Sequence, residues 1–203
     1  MTEWINNENT LERLYGTPRQ AAVAKVSKVI TDHYRAHIEA SPFVALASSG
    51  PEGLDCSPRG DDGAVVRVID ETTVHMPDWK GNDRIDTLRN IVRDPRVALM
   101  FLIPGSGTVI RVNGNARITA DDAVRGEFER AGALPRTVIA VSVDAVYFQC
   151  ARAVMRAKLW AGGFVDPATL PTPGAILEAM SDRAIEQRRY DEAWPARAAK
   201  TLW

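Results

Sequence analysis

The sequence predicts a mainly β domain with flanking helices, an α+β class, whose strands form a closed or nearly closed antiparallel barrel. Two observations support this prediction. Six or seven short β-forming segments follow one another between residues 43 and 149, separated by turn signals. Helical spacing of apolar residues is confined to shorter stretches between and around them. With 203 residues, the chain is long enough for one core, and we expect a single domain over 1–203.

The predicted strands are separated by turns rich in Gly, Pro and Asp. The stretch 97–103 is wholly apolar, which is typical of a strand covered on both faces. Asp70 and Glu71 predict a hairpin turn between two other strands. The predicted strands are 43–47, 54–57, 64–69, 72–76, 97–103, 108–119 and 137–149.

Helical spacing predicts an N-terminal helix over about residues 18–40. Thr17 is a suitable N-cap, Pro18 suits the first helical position, and apolar residues then recur every three or four positions. Shorter helices are predicted over 82–93 and 121–131.

A proline-rich linker follows Trp160, and Thr172 can cap a last helix over about 174–190. We expect the segment 166–203 to pack on the barrel or on a second subunit.

Composition excludes several classes of function. The chain has 25 Lys and Arg against 26 Asp and Glu, so we expect no nucleic-acid partner. The N-terminus lacks a basic and then apolar leader, and no apolar stretch approaches membrane-spanning length, so we expect no membrane partner. Cys56 and Cys150 are far apart, which fits a reducing cytoplasm. His33 and His37 could share a metal, but two ligands make an incomplete site, and we expect none.

Common catalytic and nucleotide-binding motifs are missing from the sequence. It has no GxGxxG after a strand, no GxxxxGK[ST] and no GxSxG. The informative stretch is 57–114. There, the loop 78–84 opens onto a predicted helix whose first N–H groups favour a phosphate, and Arg84, expected in the first turn, could grip its oxygens. A simple helix cap with solvent-exposed charges also explains this loop.

Longer runs in the same stretch resemble a known family. Residues 81–91 (GNDRIDTLRNI) and 94–105 (DPRVALMFLIPG) are similar to segments of the pyridoxamine 5'-phosphate oxidase-like FMN-binding class. Residues 111–116 (RVNGNA) and 150–160 (CARAVMRAKLW) are similar to later segments of its FMN-dependent branch of unknown substrate. The resemblance covers about residues 17–190, and the order and spacing of the runs carry it.

The resemblance implies a split β-barrel homodimer with FMN at the subunit interface. Asn82 and Arg84 would hold the FMN phosphate, with the backbone of Met76 to Asp78 nearby. Arg67 is a further phosphate or ribityl candidate. The remaining implied contacts are Ser57 and Arg59 near the flavin ring, Arg111 and Asn113 at the ring or the phosphate arm, and Trp160 at the substrate. Arg111 and Asn113 share strand parity and so point to one face. An outward-facing arginine explains Arg67 or Arg111 equally well, and core packing is the alternative for Trp160.

One departure from the family limits the expected activity. True pyridoxamine-phosphate oxidases hold their substrate with an Arg-Leu-His-Asp-Arg stretch, whereas residues 183–190 read RAIEQRRY, without histidine. We therefore expect a cytoplasmic FMN-dependent oxidoreductase with another small-molecule redox substrate and no assigned catalytic residue. Arg59 and Arg111 would stabilise negative charge on the reduced ring. The alternatives are a flavin carrier or sensor without turnover, or the same barrel holding haem or deazaflavin. Haem is disfavoured because His33 and His37 lie on an outer helix and His75 falls at a strand end.

Overall fold

A seven-stranded antiparallel sheet forms the centre of the computed structural model, which describes residues 1–202. The strands lie in the order β2-β1-β5-β6-β7-β4-β3. Strands β2 and β3 occupy the two edges and do not pair with each other, so the sheet is open rather than closed. The predicted mainly β class with flanking helices is confirmed. The strands are β1 (Phe43–Gly50), β2 (Gly53–Gly60), β3 (Arg67–Val68), β4 (Thr73–Asp78), β5 (Arg96–Leu102), β6 (Val109–Thr119) and β7 (Thr137–Gln149).

Short helices precede the first strand, connect some of the strands and follow the last one. Among residues 1–202, none is long and apolar enough to cross a membrane. A 3-10 turn covers Pro167–Thr169. The α-helices are α1 (Glu8–Tyr15), α2 (Gln20–Ala24), α3 (Asp32–Glu39), α4 (Asp86–Arg93), α5 (Asp122–Gly126), α6 (Arg152–Arg156), α7 (Pro173–Met180) and α8 (Gln187–Lys200).

The predicted continuous helix over 18–40 is wrong, because the chain is extended between α2 and α3. Ser27 exchanges two backbone hydrogen bonds with Val146 of β7, at 2.9 and 2.8 Å. Thr31, rather than Thr17, then caps a helix by accepting from the backbone N–H of Tyr34. Pairing with β7 satisfies the Ser27 backbone groups that a helix would have used.

The other predicted boundaries differ in accuracy. Strand β7 has the predicted bounds, β5 begins and ends one residue earlier than predicted, and β6 begins one residue later. Strand β3 is only two residues long because Val65 turns inward and donates its N–H to the Ser41 carbonyl. The predicted last helix is two helices, with left-handed Asp182 and Arg183 between them, and Thr172 caps the first as expected.

The hydrophobic core lies on one face of the sheet, here called the inner face. Alternate residues of the central strands are fully buried, as Leu99 and Phe101 are on β5. Ile38 of α3 and Ile91 of α4 close over the same cluster. This two-layer arrangement, with helices on one face of the sheet, buries the apolar face that a strand pattern requires.

The opposite, outer face of the sheet is open in the single chain. Met100 on β5 is 41% exposed between two buried neighbours, and Leu54 on β2 is 89% exposed. The prediction that 97–103 is covered on both faces is therefore wrong for one chain. Strand registers place Ala45, Met100, Arg111 and Tyr147 side by side across this face.

Candidate functional site

A groove runs along β2 where this edge strand meets the loop 79–85. It consists of two joined hollows of about 380 and 280 Å³, which share Ser57, Arg59 and Asn82 as lining residues. Trp79 lines the first hollow, and Arg84 lines the second. We call this groove the β2 cleft. It brings together four of the residues that the sequence marked as cofactor contacts.

The floor of the β2 cleft contains a nearly buried ion pair. Arg59 pairs with Val44 across β1 and so lies on the inner face of the sheet. Its guanidinium contacts the carboxylate of Asp78 at the end of β4, and both side chains are largely buried. Asp78 therefore orients the guanidinium, and the buried Nε of Arg59 has no hydrogen-bond partner among residues 1–202.

The loop at the other end of the cleft has a strained backbone. Asp83 and Ile85 adopt left-handed conformations, with φ of 59° and 52°. For a β-branched residue such as Ile85, this conformation costs roughly 1–3 kcal/mol and is often kept at functional sites. Ile85 precedes α4 and provides no side-chain cap. The first N–H groups of α4 are thus available to an anion.

Arg84 lies just before α4, not in its first turn as predicted. Its side chain is 75% exposed and donates to Asp86 at 2.8 Å, while its backbone N–H donates to the Asn82 side chain at 3.1 Å. A guanidinium has five N–H donors, so the contact with Asp86 leaves others for a ligand.

Asp61 anchors the wall that separates the β2 cleft from a neighbouring cleft. Its buried carboxylate accepts from the Trp79 indole at 3.1 Å and pairs with Arg130. The second cleft has a volume of about 610 Å³ and is lined by Trp79, Arg67 and the segment after α5, so we call it the α5 cleft. Asp61 is not among the predicted site residues. Its one visible signal in the sequence is its place in the polar run SPRGD at 57–61.

The remaining predicted residues lie elsewhere in the single chain. Arg67 lines the α5 cleft, where it donates to the Glu127 carbonyl at 2.6 Å. Met76 is fully buried, so only its backbone is available for a contact. Arg111 and Asn113 lie on the outer face, where Arg111 stands 5.1 Å from the centre of the Tyr147 ring.

Trp160 is at the surface rather than in the core. Its indole donates to the Ser106 carbonyl in the turn between β5 and β6, at 2.8 Å. The core-packing alternative is therefore wrong. The structure does not bring Trp160 to the β2 cleft.

The histidines and carboxylates show no metal centre. Within residues 1–202, no group of three or more His, Cys, Asp or Glu side chains is arranged to hold a metal ion. His33 and His37 lie on α3, as expected, whereas His75 lies within β4 rather than at its end.

Sequence comparison decides the family. The sequence profile described as pyridoxamine 5'-phosphate oxidase matches residues 30–150, which is more than half of the chain. The chain belongs to the pyridoxamine 5'-phosphate oxidase family. This confirms the family resemblance, and the open sheet is the split β-barrel that the resemblance implied. No curated protein matches the chain.

Distant likenesses to solved structures accompany the family match. HupZ of Group A Streptococcus is 18% identical, with a TM-score of 0.49 over 60% of this chain and 94% of that one. A Lactobacillus delbrueckii protein provisionally named a pyridoxamine 5'-phosphate oxidase is 20% identical, with a TM-score of 0.48 over 60% and 95%. An F420 reductase is 18% identical, with a TM-score of 0.42 over 57% and 97%. Family membership rests on the sequence match alone.

Proposed function

We propose that this family member is an FMN-dependent oxidoreductase acting on a small-molecule redox substrate. One observation carries the proposal. Arg84 and the uncapped start of α4 line one hollow of the β2 cleft, Trp79 lines the other, and Ser57, Arg59 and Asn82 lie where the two hollows meet. This order matches a ligand with a phosphate at one end and a planar ring at the other.

The donor set at Arg84 and the start of α4 fits a phosphate. Arg84 is exposed and keeps unused N–H donors, and a guanidinium can bind two phosphate oxygens at once. The N-terminal N–H groups of α4 add a favourable dipole. Asp86 already accepts a hydrogen bond from Arg84. Phosphate binding would therefore replace part of the Arg84–Asp86 contact with an Arg84–phosphate contact.

The donor set at Ser57 and Arg59 fits the edge of a flavin ring. When bound, FMN would supply the electron-transfer chemistry itself. Because Asp78 neutralises much of the charge of Arg59, we expect Arg59 to act mainly as an oriented N–H donor. Its unpartnered Nε is consistent with a contact that the protein alone does not complete.

We also propose that the protein is a homodimer with the cofactor at the interface. Support comes from the outer face, where Phe43 and Met100 are exposed large apolar residues close together on adjacent strands, and Leu54 is exposed farther along the same face. Large apolar side chains exposed on one face are typical of an interaction surface. Arg111 and Asn113 lie on it, so in a dimer they would face the partner. The free, exposed thiols of Cys56 and Cys150 support a reducing, cytoplasmic setting.

Native mass spectrometry of gently purified protein tests both proposals. We expect the mass of two chains with bound FMN. A bound mass of haem or of a deazaflavin would refute the FMN proposal but not the fold. The mass of a single chain with FMN would refute the dimer. Reduction of the loaded protein by NADH or NADPH, then reoxidation by added acceptors, separates an enzyme from a flavin carrier, which would show no turnover.

A further inference from the structure

The α5 cleft lies directly beside the proposed flavin-ring end of the β2 cleft. The two clefts share Trp79 and Asp61 as lining residues. The α5 cleft has a volume of about 610 Å³, within the usual range for small-molecule sites. Trp79 and Asp61 form the wall between the two clefts, so a ligand in the α5 cleft would contact the side of this wall that faces away from the β2 cleft.

Fixed hydrogen bonds hold this wall in place. The Asp61 carboxylate is 4% exposed, accepts from the Trp79 indole and pairs with Arg130. Arg130 also donates to the Asp62 carbonyl at 2.7 Å. The indole orientation is therefore set by the protein before any ligand arrives, which lowers the ordering cost of binding.

The charge that lines the α5 cleft is negative overall. Its two guanidinium groups are engaged by the protein: Arg130 by Asp61, and Arg67 by the Glu127 carbonyl and the Phe128 ring. Against them stand four carboxylates. These are Glu39, Asp61, Glu127 and Glu129.

Glu39 pairs with Arg35 of α3 at 3.2 Å, but the other carboxylates are not all neutralised. Within the described chain, the Glu129 carboxylate has no hydrogen bond or ion pair, and the residue is exposed at the cleft. Glu127 has a buried Oε2 that no described residue hydrogen-bonds, 3.5 Å from Nδ1 of His75. An added cation would find uncompensated negative charge here, whereas an added anion would be repelled.

The rest of the lining is apolar and aromatic. Trp79 and Phe128 are half-buried, and Val66 and Ala64 complete the surface. Aromatic faces attract organic cations as well as planar apolar groups. Aromatic walls and excess carboxylate therefore select the same kind of ligand.

We propose that the α5 cleft is a subsite for a small organic cation with an aromatic or planar apolar body, such as a protonated arylalkylamine. This ligand is the substrate of the oxidoreductase only if the proposed function holds. Its binding does not depend on that function, because every lining residue belongs to one chain.

Calorimetric titration with three probes that share one phenylethyl group and differ in charge tests the subsite. The probes are phenethylamine, which is a cation, 2-phenylethanol, which is neutral, and 3-phenylpropanoate, which is an anion. A ligand of this size should bind with a Kd on the order of 1 mM. We expect the cation to bind at least about threefold more tightly than the alcohol and the anion to bind least. No binding of the amine, or equal binding of all three, would overturn the proposal.

Charge-neutral variants locate the bound cation. Glu39→Gln with Glu129→Gln should weaken phenethylamine binding by about three- to tenfold and leave 2-phenylethanol unchanged. Glu8→Gln with Glu12→Gln on α1 changes the net charge equally but lines no wall of this cleft, so it should have no effect. Equal weakening by both pairs would show that the amine responds to net charge alone.

Titrations with and without FMN separate the two proposals. Amine binding in protein that does not bind FMN would refute the proposed function and leave the subsite standing. FMN binding without selectivity for the amine would refute the subsite and leave the proposed function standing. Melting curves of each variant check that the fold is intact.

Discussion

The segment 30–150 and the segments that flank it are built differently. Every residue of the buried apolar cluster lies between Ile30 and Val146, almost the span that matches the family. Helices α1, α2, α6 and α8 bury no residue at all, and α7 buries only Gly174. The flanks instead expose large apolar side chains. Examples are Trp4, Tyr15, Met155, Phe164 and Met180.

This difference shows where the stability of one chain resides. The central segment contains its own core, whereas helices α7 and α8 pack mainly against each other. Helical propensity alone rarely stabilises short helices in water. We infer that the flanks depend on a further surface, which the proposed second subunit could supply.

The largest effect should come from cavity formation in the core. Phe101→Ala, at a fully buried site on β5, should lower the free energy of unfolding by about 3–5 kcal/mol. Met155→Ala, at an exposed site on α6, should change it by less than about 0.5 kcal/mol. Urea denaturation of both variants measures the contrast. Similar losses would mean that the flank carries as much stability as the core.

A smaller effect should come from the ion pair beneath the β2 cleft. Asp78→Ala leaves the Arg59 guanidinium largely buried and unpaired, which should cost about 2–3 kcal/mol of unfolding free energy. Replacing both partners, Arg59→Met with Asp78→Leu, should recover much of that loss. The same urea experiment applies. A double variant as unstable as Asp78→Ala would contradict this account of the pair.

The smallest effect should come from a surface pair after α4 and should depend on pH. Arg96 donates its guanidinium and backbone N–H to Asp94, which lowers the pKa of that carboxyl from 3.8 to about 2. Because the folded pKa is depressed, the stabilisation is present above about pH 4 and is lost as the pH falls towards 2.

Asp94→Asn tests that sign. The variant should melt below the wild type near neutral pH, and the gap should narrow as the pH falls from about 4 to 2. Thermal melts across this range measure it. A gap that stays constant or widens would show that ionised Asp94 contributes nothing.

The sequence predicted the parts of this fold that local patterns determine. Strand β7 and the Thr172 cap depend on residue preference and spacing, and both were predicted correctly. The break at Ser27 depends on pairing with Val146, far along the chain, and has no local signal. The apolar sequence of a strand such as β5 is also the same whether its second face is buried within one chain or exposed at that chain's surface.

The candidate site also contains residues that the sequence could predict and residues that it could not. Asn82 and Arg84 lie on a loop with a recognisable sequence, and the structure places them in the β2 cleft with Ser57 and Arg59. The Asp61–Trp79 hydrogen bond and the Phe128 wall come from tertiary contacts between distant segments. No spacing rule could have assigned them.

The most direct test of the central claim compares FMN with riboflavin, which has the same ring and ribityl chain but no phosphate. Arg84→Ala should weaken FMN binding by about tenfold, the usual size of one charge-assisted contact at an exposed site. Riboflavin binding should not change. Arg117→Ala, an exposed arginine on β6, should leave both affinities unchanged.

Isothermal titration of both ligands into the wild type and these two variants is the measurement. A selective loss of FMN affinity in Arg84→Ala is the result that we predict. If the wild type fails to bind FMN, or if Arg84→Ala weakens FMN and riboflavin equally, the phosphate does not bind at Arg84 and the β2 cleft is not the flavin site described above.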